Sequence, residues 1–187
     1  MATPTVALFH SPLQSGYSQV YIKQTEVFSS TNRTETRRKL LDRALIGVSA
    51  RFKITTEEQY FHFENIIRQA KINDDIIAMP LWFSRTTLAS NADNTSNIIT
   101  VSDASLEGFA ASNFVVINGN NGGVDNDFRT ISTVVSNDVT MTAVPSLDWR
   151  AGVEVVPCLS MKIDTIVKAK GVRALGYDYK IKAVEVE

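Results

Sequence analysis

The second half of the chain contains a succession of short β-rich segments, with no helical pattern between them that is long enough to cover a sheet. β-branched and aromatic residues dominate each segment, and polar turns such as Ser136-Asn137-Asp138 separate them. The segments are residues 98–101, 114–117, 128–135, 139–144 and 152–157. Short strands at such intervals are typical of a small barrel or sandwich. We therefore expect residues 84–158 to form a small β-rich, barrel-like module.

The first half of the chain contains one convincing amphipathic helix. Thr55 and Glu58 have the spacing of a capping box, which would begin the helix, and Asn73 is a plausible stop. Apolar residues recur between these positions at spacings of three and four, which predicts a core-facing stripe. The stripe consists of Tyr60, Phe63, Ile66, Ile67 and Ala70.

Three strands are predicted around this helix. Residues 20–28 are rich in β-branched and aromatic side chains, and residues 44–54 alternate toward their end. The alternation places Val48, Ala50, Phe52 and Ile54 on one face. Residues 76–83 form a short apolar run in which Pro80 suggests an edge position or a strand start.

Two further strands are predicted at the C-terminus, in residues 161–171 and 175–187. In the last one, Tyr177, Tyr179, Ile181 and Ala183 share a face opposite Asp178, Lys180 and Lys182. The apolar phase then shifts to Val184 and Val186, which predicts a bulge near residues 183–184. We expect this terminal strand to pair with the N-terminal part of the chain, because its edge would otherwise be exposed.

The predicted fold class is therefore mainly β, a β-sandwich with one α-helix that carries an inserted small β-barrel-like module. The sandwich comprises residues 1–83 plus 159–187, and the insert comprises residues 84–158. Residues 1–19 contain Pro4, Pro12 and Gly16 and are predicted to form an arm or loop.

Composition excludes several classes of protein. The 187 residues are 44% apolar and 21% charged, which is typical of globular chains. The net charge of -1 argues against a nucleic-acid partner. No apolar run approaches the roughly 18 residues that span a bilayer, and no signal peptide is apparent. The single cysteine also points to a chain that is made and folded in a reducing cytoplasm.

The sequence contains little that predicts catalysis. None of the metalloprotease, nucleophile-elbow or phosphate-loop motifs occurs, and His62 reads as a surface or boundary residue of the helix. Cys158 lies in an apolar run and is expected to be a buried, inert thiol. Residues 118–127 resemble a calcium loop in composition but lack its closing Glu, so a hairpin turn is the better reading. We expect no catalytic residues, no cofactor and no metal.

A mixed-charge segment at residues 33–43 is the candidate interaction site. Its charged residues are Arg33, Glu35, Arg37, Arg38, Asp42 and Arg43. One reading is a solvated loop between two strands. The other is a subunit interface, because a segment with both signs of charge can complement the same segment or a facing patch on a neighbour.

The order of these features resembles the distal tail and minor tail proteins of tailed bacteriophages over roughly residues 20–165. One shared feature is the Arg/Glu-rich segment between two strands. A second is a single helix followed by Pro-Leu-Trp at residues 80–82. The third is a β-module whose final strand matches a W-x-A-G-x-x-V-x-P pattern. Trp149, Ala151, Gly152, Val155 and Pro157 occupy the fixed positions of that pattern.

The resemblance implies a structural protein of the virion, assembled in the host cytoplasm. Such proteins form a homo-oligomeric ring, with six copies expected, that joins the tail tube to the tip or baseplate hub. Their sandwich supplies the ring, and their insert projects outward or toward neighbours. The implied partners are further copies of the chain and other tail proteins, with no membrane and no nucleic acid.

Other functions are compatible with the same residues. The chain could be another tail or neck ring protein, such as a connector or terminator. The insert could instead bind carbohydrate or a host surface, although Phe109, Phe114, Phe128 and Trp149 are its main aromatic residues and packing accounts for most of them. A hydrolase would need a carboxylate pair such as Asp125 and Asp127, but a hairpin loop is expected to be wet.

Overall fold

The structure is a computed structural model that describes most of the chain. It describes residues 4–8, 10, 12, 14–23, 25–29, 35–39, 44–118, 126–170 and 176–186, with only the backbone at residues 14, 25–29, 35–39 and 170.

The fold is mainly β, as predicted, with one α-helix in the described part of the chain. The strands are β1 (Ser18–Ile22), β2 (Thr25–Ser29), β3 (Glu35–Lys39), β4 (Leu45–Ile54), β5 (Ile76–Pro80), β6 (Thr86–Thr87), β7 (Ile98–Thr100), β8 (Phe114–Asn118), β9 (Asn126–Val135), β10 (Asp138–Met141), β11 (Glu154–Lys170) and β12 (Tyr177–Glu185). The helix is α1 (Glu57–Ile72), and short 3-10 turns lie at Gln14–Gly16 and Trp82–Ser84.

A ten-stranded antiparallel sheet contains all strands except β2 and β3. Its order is β1-β4-β12-β11-β8-β9-β10-β7, and β5 and β6 pair with β11. Cys158 of β11 lies opposite both Pro80 of β5 and Phe114 of β8, so these two strands flank β11 on opposite edges. The 17-residue β11 is therefore the central strand of the molecule.

Two separate strands were predicted in residues 152–157 and 161–171, and this prediction was wrong, because β11 is one continuous strand. Pro157 does not interrupt the strand, because it lies opposite Val115 and its carbonyl accepts a hydrogen bond from the Leu81 amide at 2.9 Å. The predicted domain boundary between residues 158 and 159 falls inside this continuous strand. The division into two domains stays a prediction.

Two large apolar clusters lie on either side of this strand. The first joins α1 to β4, β5, β12 and the second half of β11, and its largest fully buried side chains include Phe52, Phe63 and Tyr179. The second lies within residues 88–155 and includes Ile131 and Trp149. A smaller cluster lies between them and consists of Ala7, Ala78, Phe114, Val116 and Cys158.

The helix follows its predicted stripe. Phe63, Ile66, Ile67 and Ala70 are buried, Tyr60 packs against the same cluster, and Asn73 is the C-cap. The predicted capping box is displaced by one residue. Thr56 rather than Thr55 is the N-cap and accepts a hydrogen bond from the Gln59 amide, while the Gln59 side chain accepts one from the Thr55 amide. Gln59 therefore takes the place predicted for Glu58.

The alternation predicted for β4 is confirmed, because Val48, Ala50, Phe52 and Ile54 are all buried. The strand predicted at residues 20–28 is instead divided between β1 and β2. Pro80 is the last residue of β5, so the predicted strand start is wrong. Among the named strands of the described part of the chain, β5 pairs only with β11, which agrees with the alternative prediction of an edge position.

The terminal strand β12 pairs with β4 and β11, so its predicted partner in the N-terminal part of the chain is confirmed. The predicted bulge near residues 183–184 is wrong. The register shifts on β11 between Ile163 and Thr165, and the alternation of β12 continues inward to Glu185. The buried Glu185 carboxylate accepts a hydrogen bond from the Ile46 amide at 3.0 Å, which allows a charged residue to occupy this position.

In the predicted insert, β8 and β9 pair directly up to Asn118 and Asn126, as expected for the two sides of a hairpin. Residues 119–125 between them lie outside the described residues. The predicted turn at residues 136–138 joins β9 to β10, with Ser136 at a positive φ of 56°. Leu88 and Ala89 connect the two ends of the module through backbone hydrogen bonds to Val153 and Thr100. The barrel-like closure stays a prediction.

Candidate assembly surface

The mixed-charge segment predicted as an interface is partly a β-strand. Glu35, Arg37 and Arg38 lie on β3, which pairs with β2 in a separate two-stranded sheet. Only the backbone of these three residues is described, and Arg33, Asp42 and Arg43 lie outside the described residues. The backbone pairing corrects the expectation of a loop, because the β2–β3 ladder satisfies peptide groups that a loop would leave to water. The interface role of the segment stays a prediction.

Four strands, β1, β4, β12 and the second half of β11, form one part of the sheet. One face of this part contacts the first apolar cluster, and the opposite face is open to solvent. Residues directly opposite each other in antiparallel strands share a face. Lys180 of β12 lies opposite Arg51 of β4, and Val184 of β12 lies opposite Lys162 of β11. Lys180 and Val184 are four positions apart on one strand, so all four side chains are on the outward face. We call the exposed cationic residues of this side the basic face: Arg51, Lys53, Lys162, Lys180 and Lys182.

The basic face is poorly neutralised. Asp178 lies opposite Lys53 and forms an ion pair with Arg51 at 2.9 Å, and the exposed Asp164 lies beside Thr165, the residue opposite Lys182. No ion pair to the four lysines is found among the described residues. Arg51 and Lys180 are directly opposite, and like charges in that position destabilise a sheet. This surface is therefore not optimised for the stability of the isolated chain.

The first strand of the sheet order, β1, has an open edge. It pairs with β4 on one side, and no other pairing is found for it in the described part of the chain. Isolated edge strands usually carry charged residues that prevent further pairing, but β1 has none. Val20 and Tyr21 are 55% and 61% exposed. The edge of β1 is therefore suited to pairing with another strand.

Gly47 allows β1 to lie close to β4. A Cβ atom at this position would lie 3.0 Å from Cγ2 of Val20 and 3.1 Å from Cδ1 of Ile22. Both contacts are tighter than ordinary van der Waals packing, so a larger residue would displace the β1 side chains.

A turn of the insert contacts two side chains of β1. The Glu107 carboxylate accepts hydrogen bonds from the Gln19 amide group and the Tyr21 hydroxyl, each at 2.8 Å. The next residue, Gly108, has a φ of 98°, and a Cβ there would lie 2.9 Å from Leu81 and 3.0 Å from Pro157. The contact between this turn and β1 was not predicted from the sequence. The Glu-Gly dipeptide was the only local signal for it.

A second polar cluster, which sequence reasoning missed, fixes α1 to β11 and β12. Lys168 Nζ lies 2.7 Å from the Glu64 carboxylate and 3.0 Å from the Tyr60 hydroxyl, and the Tyr179 hydroxyl also donates to Glu64. The same ammonium lies within 5.5 Å of the ring centroids of Tyr60, Tyr177 and Tyr179. The hydrogen bond to Glu64 raises the pKa of Lys168, so this ammonium is a structural cation rather than a proton donor. We call this cluster the lysine clamp.

The carboxylate considered for hydrolysis is a structural group. Asp127 is 1% exposed and accepts hydrogen bonds from the Ser146 amide at 2.8 Å and the Trp149 indole at 2.7 Å, and it forms an ion pair with Arg129. Burial would raise the pKa of Asp127, but these donors and the guanidinium outweigh it and hold the pKa below its usual range. The expectation of a wet site was wrong, and Asp125 lies outside the described residues.

The two histidines are neighbours. His62 is half-buried on α1, as expected for a boundary residue, and its ring centroid lies 5.7 Å from that of His10. The His10 ring also contacts Phe63 edge-on, at 5.3 Å. Burial, together with the charge of His62, lowers the pKa of His10 to about 4, so this ring is neutral at pH 7.

Both tryptophans and the single cysteine are buried. Trp82 and Trp149 are 7% and 6% exposed, and Cys158 is fully buried. Burial raises the pKa of the Cys158 thiol, which disfavours the reactive thiolate.

No group of three His, Cys, Asp or Glu side chains suitable for a metal ion occurs among the described residues. In the same part of the chain, no helix is both long enough and apolar enough to cross a bilayer. No family model matches the chain, and no curated protein matches it either.

Proposed function

We propose that this chain is a non-enzymatic structural protein of a bacteriophage virion. Copies of it would form a ring in the tail that joins the tail tube to the tip or baseplate hub. The order of motifs between residues 20 and 165 supports the tail family. The open, uncharged edge of β1 is the observation that carries the proposal, because it offers a surface for assembly.

The edge of β1 supports assembly through backbone chemistry. A strand from a neighbouring copy would pair with the edge of β1 that has no partner in the described part of the chain, and it would continue the sheet across the subunit boundary. The same contact would cover Val20 and Tyr21, which are more than half exposed in the single chain. Covering such side chains contributes on the order of 1–2 kcal/mol each. A contact of this kind between two different surfaces closes into a ring when a rotation repeats it.

The predicted interface at residues 33–43 is part of the same proposal. Its charged residues would complement a facing patch on a neighbour, and Glu35, Arg37 and Arg38 among them lie on β3. A connector or terminator ring at another level of the tail would use the same surfaces, and co-assembly with purified tube or hub protein would distinguish these positions.

Carbohydrate or host-surface binding by the insert is the weaker alternative. A sugar platform needs exposed aromatic faces, whereas Phe109, Phe114 and Trp149 are buried in the insert. Phe128 is half-buried and stacks on Phe114, with 5.2 Å between the ring centroids.

The edge is tested by the variant Val20→Lys, which places a charge on β1 as natural edge strands do. Val144→Lys is the matched control, because Val144 is 41% exposed and lies outside the named strands. We expect the unmodified chain and the control to assemble in sedimentation velocity experiments, and Val20→Lys to require at least about tenfold more protein. Equal assembly of all three chains, with equal thermal stability, would remove the edge from the proposal.

A further inference from the structure

Charge is distributed unevenly along the chain. Residues 84–158 contain eight Asp or Glu and three Arg, which gives a net charge of -5. The remaining residues contain 16 of the 19 Lys and Arg and 12 of the 20 Asp and Glu, which gives +4. The net charge of -1 therefore conceals two regions of opposite sign, and such regions attract each other over distances of about a Debye length.

The acidic region contains two exposed carboxylates for which no ion pair is found in the described part of the chain. Asp103 and Asp138 are exposed, and they lie close together because Asn137 accepts a hydrogen bond from the Ala104 amide. Asp103 accepts from the Ser105 amide and hydroxyl, and Asp138 accepts from the Thr100 hydroxyl. The Ser105 hydrogen bonds lower the pKa of Asp103, so it stays ionised. We call Asp103 and Asp138 the acidic corner.

The two charged surfaces lie at opposite ends of the sheet order. The basic face is formed mainly by β4 and β12, which are the second and third strands of the order. The acidic corner lies at β10 and β7, which are the last two strands. A contact between different surfaces of two copies is heterologous, which is the type of contact that builds rings.

We infer that the basic face of one copy binds the acidic corner of the next copy. The inference rests on the proposed ring, and it names the surfaces that would bring neighbouring copies together. Contact with the acidic corner would also relieve the repulsion between the directly opposed Arg51 and Lys180. The occupant is a second copy of this chain because the chain itself carries the complementary charge.

A charge swap tests the pairing. The first variant, Lys180→Glu with Lys182→Glu, makes the basic face acidic. The second, Asp103→Lys with Asp138→Lys, makes the acidic corner basic. Each variant alone would oppose like charges at every contact, so each should need more than about tenfold higher protein concentration to assemble. An equimolar mixture of the two should assemble near the concentration of the unmodified chain, because alternating copies restore opposite charges at every contact.

The control is Arg68→Glu with Lys71→Glu, which makes the same change of charge on exposed positions of α1. Its assembly should match that of the unmodified chain. Raising the salt concentration should weaken assembly of the unmodified chain, as screening of exposed charges requires.

The outcomes separate the inference from the proposed function. If the unmodified chain assembles and the Lys180/Lys182 variant assembles equally well, the inference fails and the ring proposal stands. If the unmodified chain stays monomeric at every concentration and salt level, self-assembly is contradicted and the inference fails with it. If the Lys180/Lys182 variant instead loses binding of a labelled DNA oligonucleotide and the mixture does not assemble, the basic face is a nucleic-acid surface and the inference is overturned.

Discussion

At the scale of single residues, charged and polar groups in this chain are placed either for structure or for surface contact. Asp127 and Glu185 are buried. Asp127 accepts hydrogen bonds from a backbone amide and the Trp149 indole and pairs with the Arg129 guanidinium, and Glu185 accepts from the Ile46 amide. The lysines of the basic face have no such partners among the described residues. This contrast distinguishes groups that stabilise the single chain from groups that are available to another one.

His10 provides a prediction at this scale, and it concerns the pH dependence of stability. Its pKa is about 4 in the folded chain and about 6.5 when exposed, so the unfolded state binds more protons between these values. Stability should therefore fall as the pH decreases from about 6.5 to about 4, and this contribution should be constant outside that window. His10→Phe should make the loss of thermal stability in this window smaller. Identical pH profiles for the two chains would contradict burial of the neutral ring.

At the scale of elements, local periodicity predicted the pieces whose pattern is strong. The stripe of α1 and the alternation of β4 were predicted correctly, because each depends on residues three, four or two positions apart. The single strand β11 was not predicted, because its continuity through Pro157 depends on Val115 and Leu81, which are distant in the sequence. The one-residue displacement of the helix cap likewise depends on Gln59, which can substitute for Glu58.

The candidate surface could be predicted only in part. The alternation of the last strand predicts that Asp178, Lys180 and Lys182 share one face, and the structure has them there. That this face also contains Arg51 and Lys53 depends on the register of β12 against β4, which joins residues more than a hundred positions apart. The lysine clamp was missed for the same reason, because Glu64 and Lys168 are 104 positions apart.

The lysine clamp provides the prediction at the scale of elements. Lys168→Met keeps the length of the side chain but removes the ion pair to Glu64 and the cation–π contacts to three tyrosines. We expect the free energy of unfolding to fall by about 1 kcal/mol, since the pair is partly exposed. Lys162→Met is the control, because Lys162 is exposed on the same strand and makes no such contacts in the described part of the chain. Urea unfolding of the three chains measures the difference, and an equal loss in both variants would contradict a specific role for the clamp.

At the scale of the whole molecule, the sheet connects two apolar clusters through one strand and leaves two surfaces open. The open edge of β1 and the basic face lie at one end of the sheet order, and the acidic corner lies at the other. Neither the edge of β1 nor the basic face stabilises the isolated chain. The edge exposes apolar side chains, and the basic face places like charges opposite each other. Both features are accounted for if the functional unit is an assembly of several copies.

Native mass spectrometry across a series of protein concentrations, with negative-stain imaging of the same samples, tests this account most directly. We predict a closed ring, with six copies as the expected number, whose population grows with protein concentration and falls as salt is added. A chain that remains monomeric across the whole series, at low as well as high salt, would contradict the claim that its open surfaces serve self-assembly.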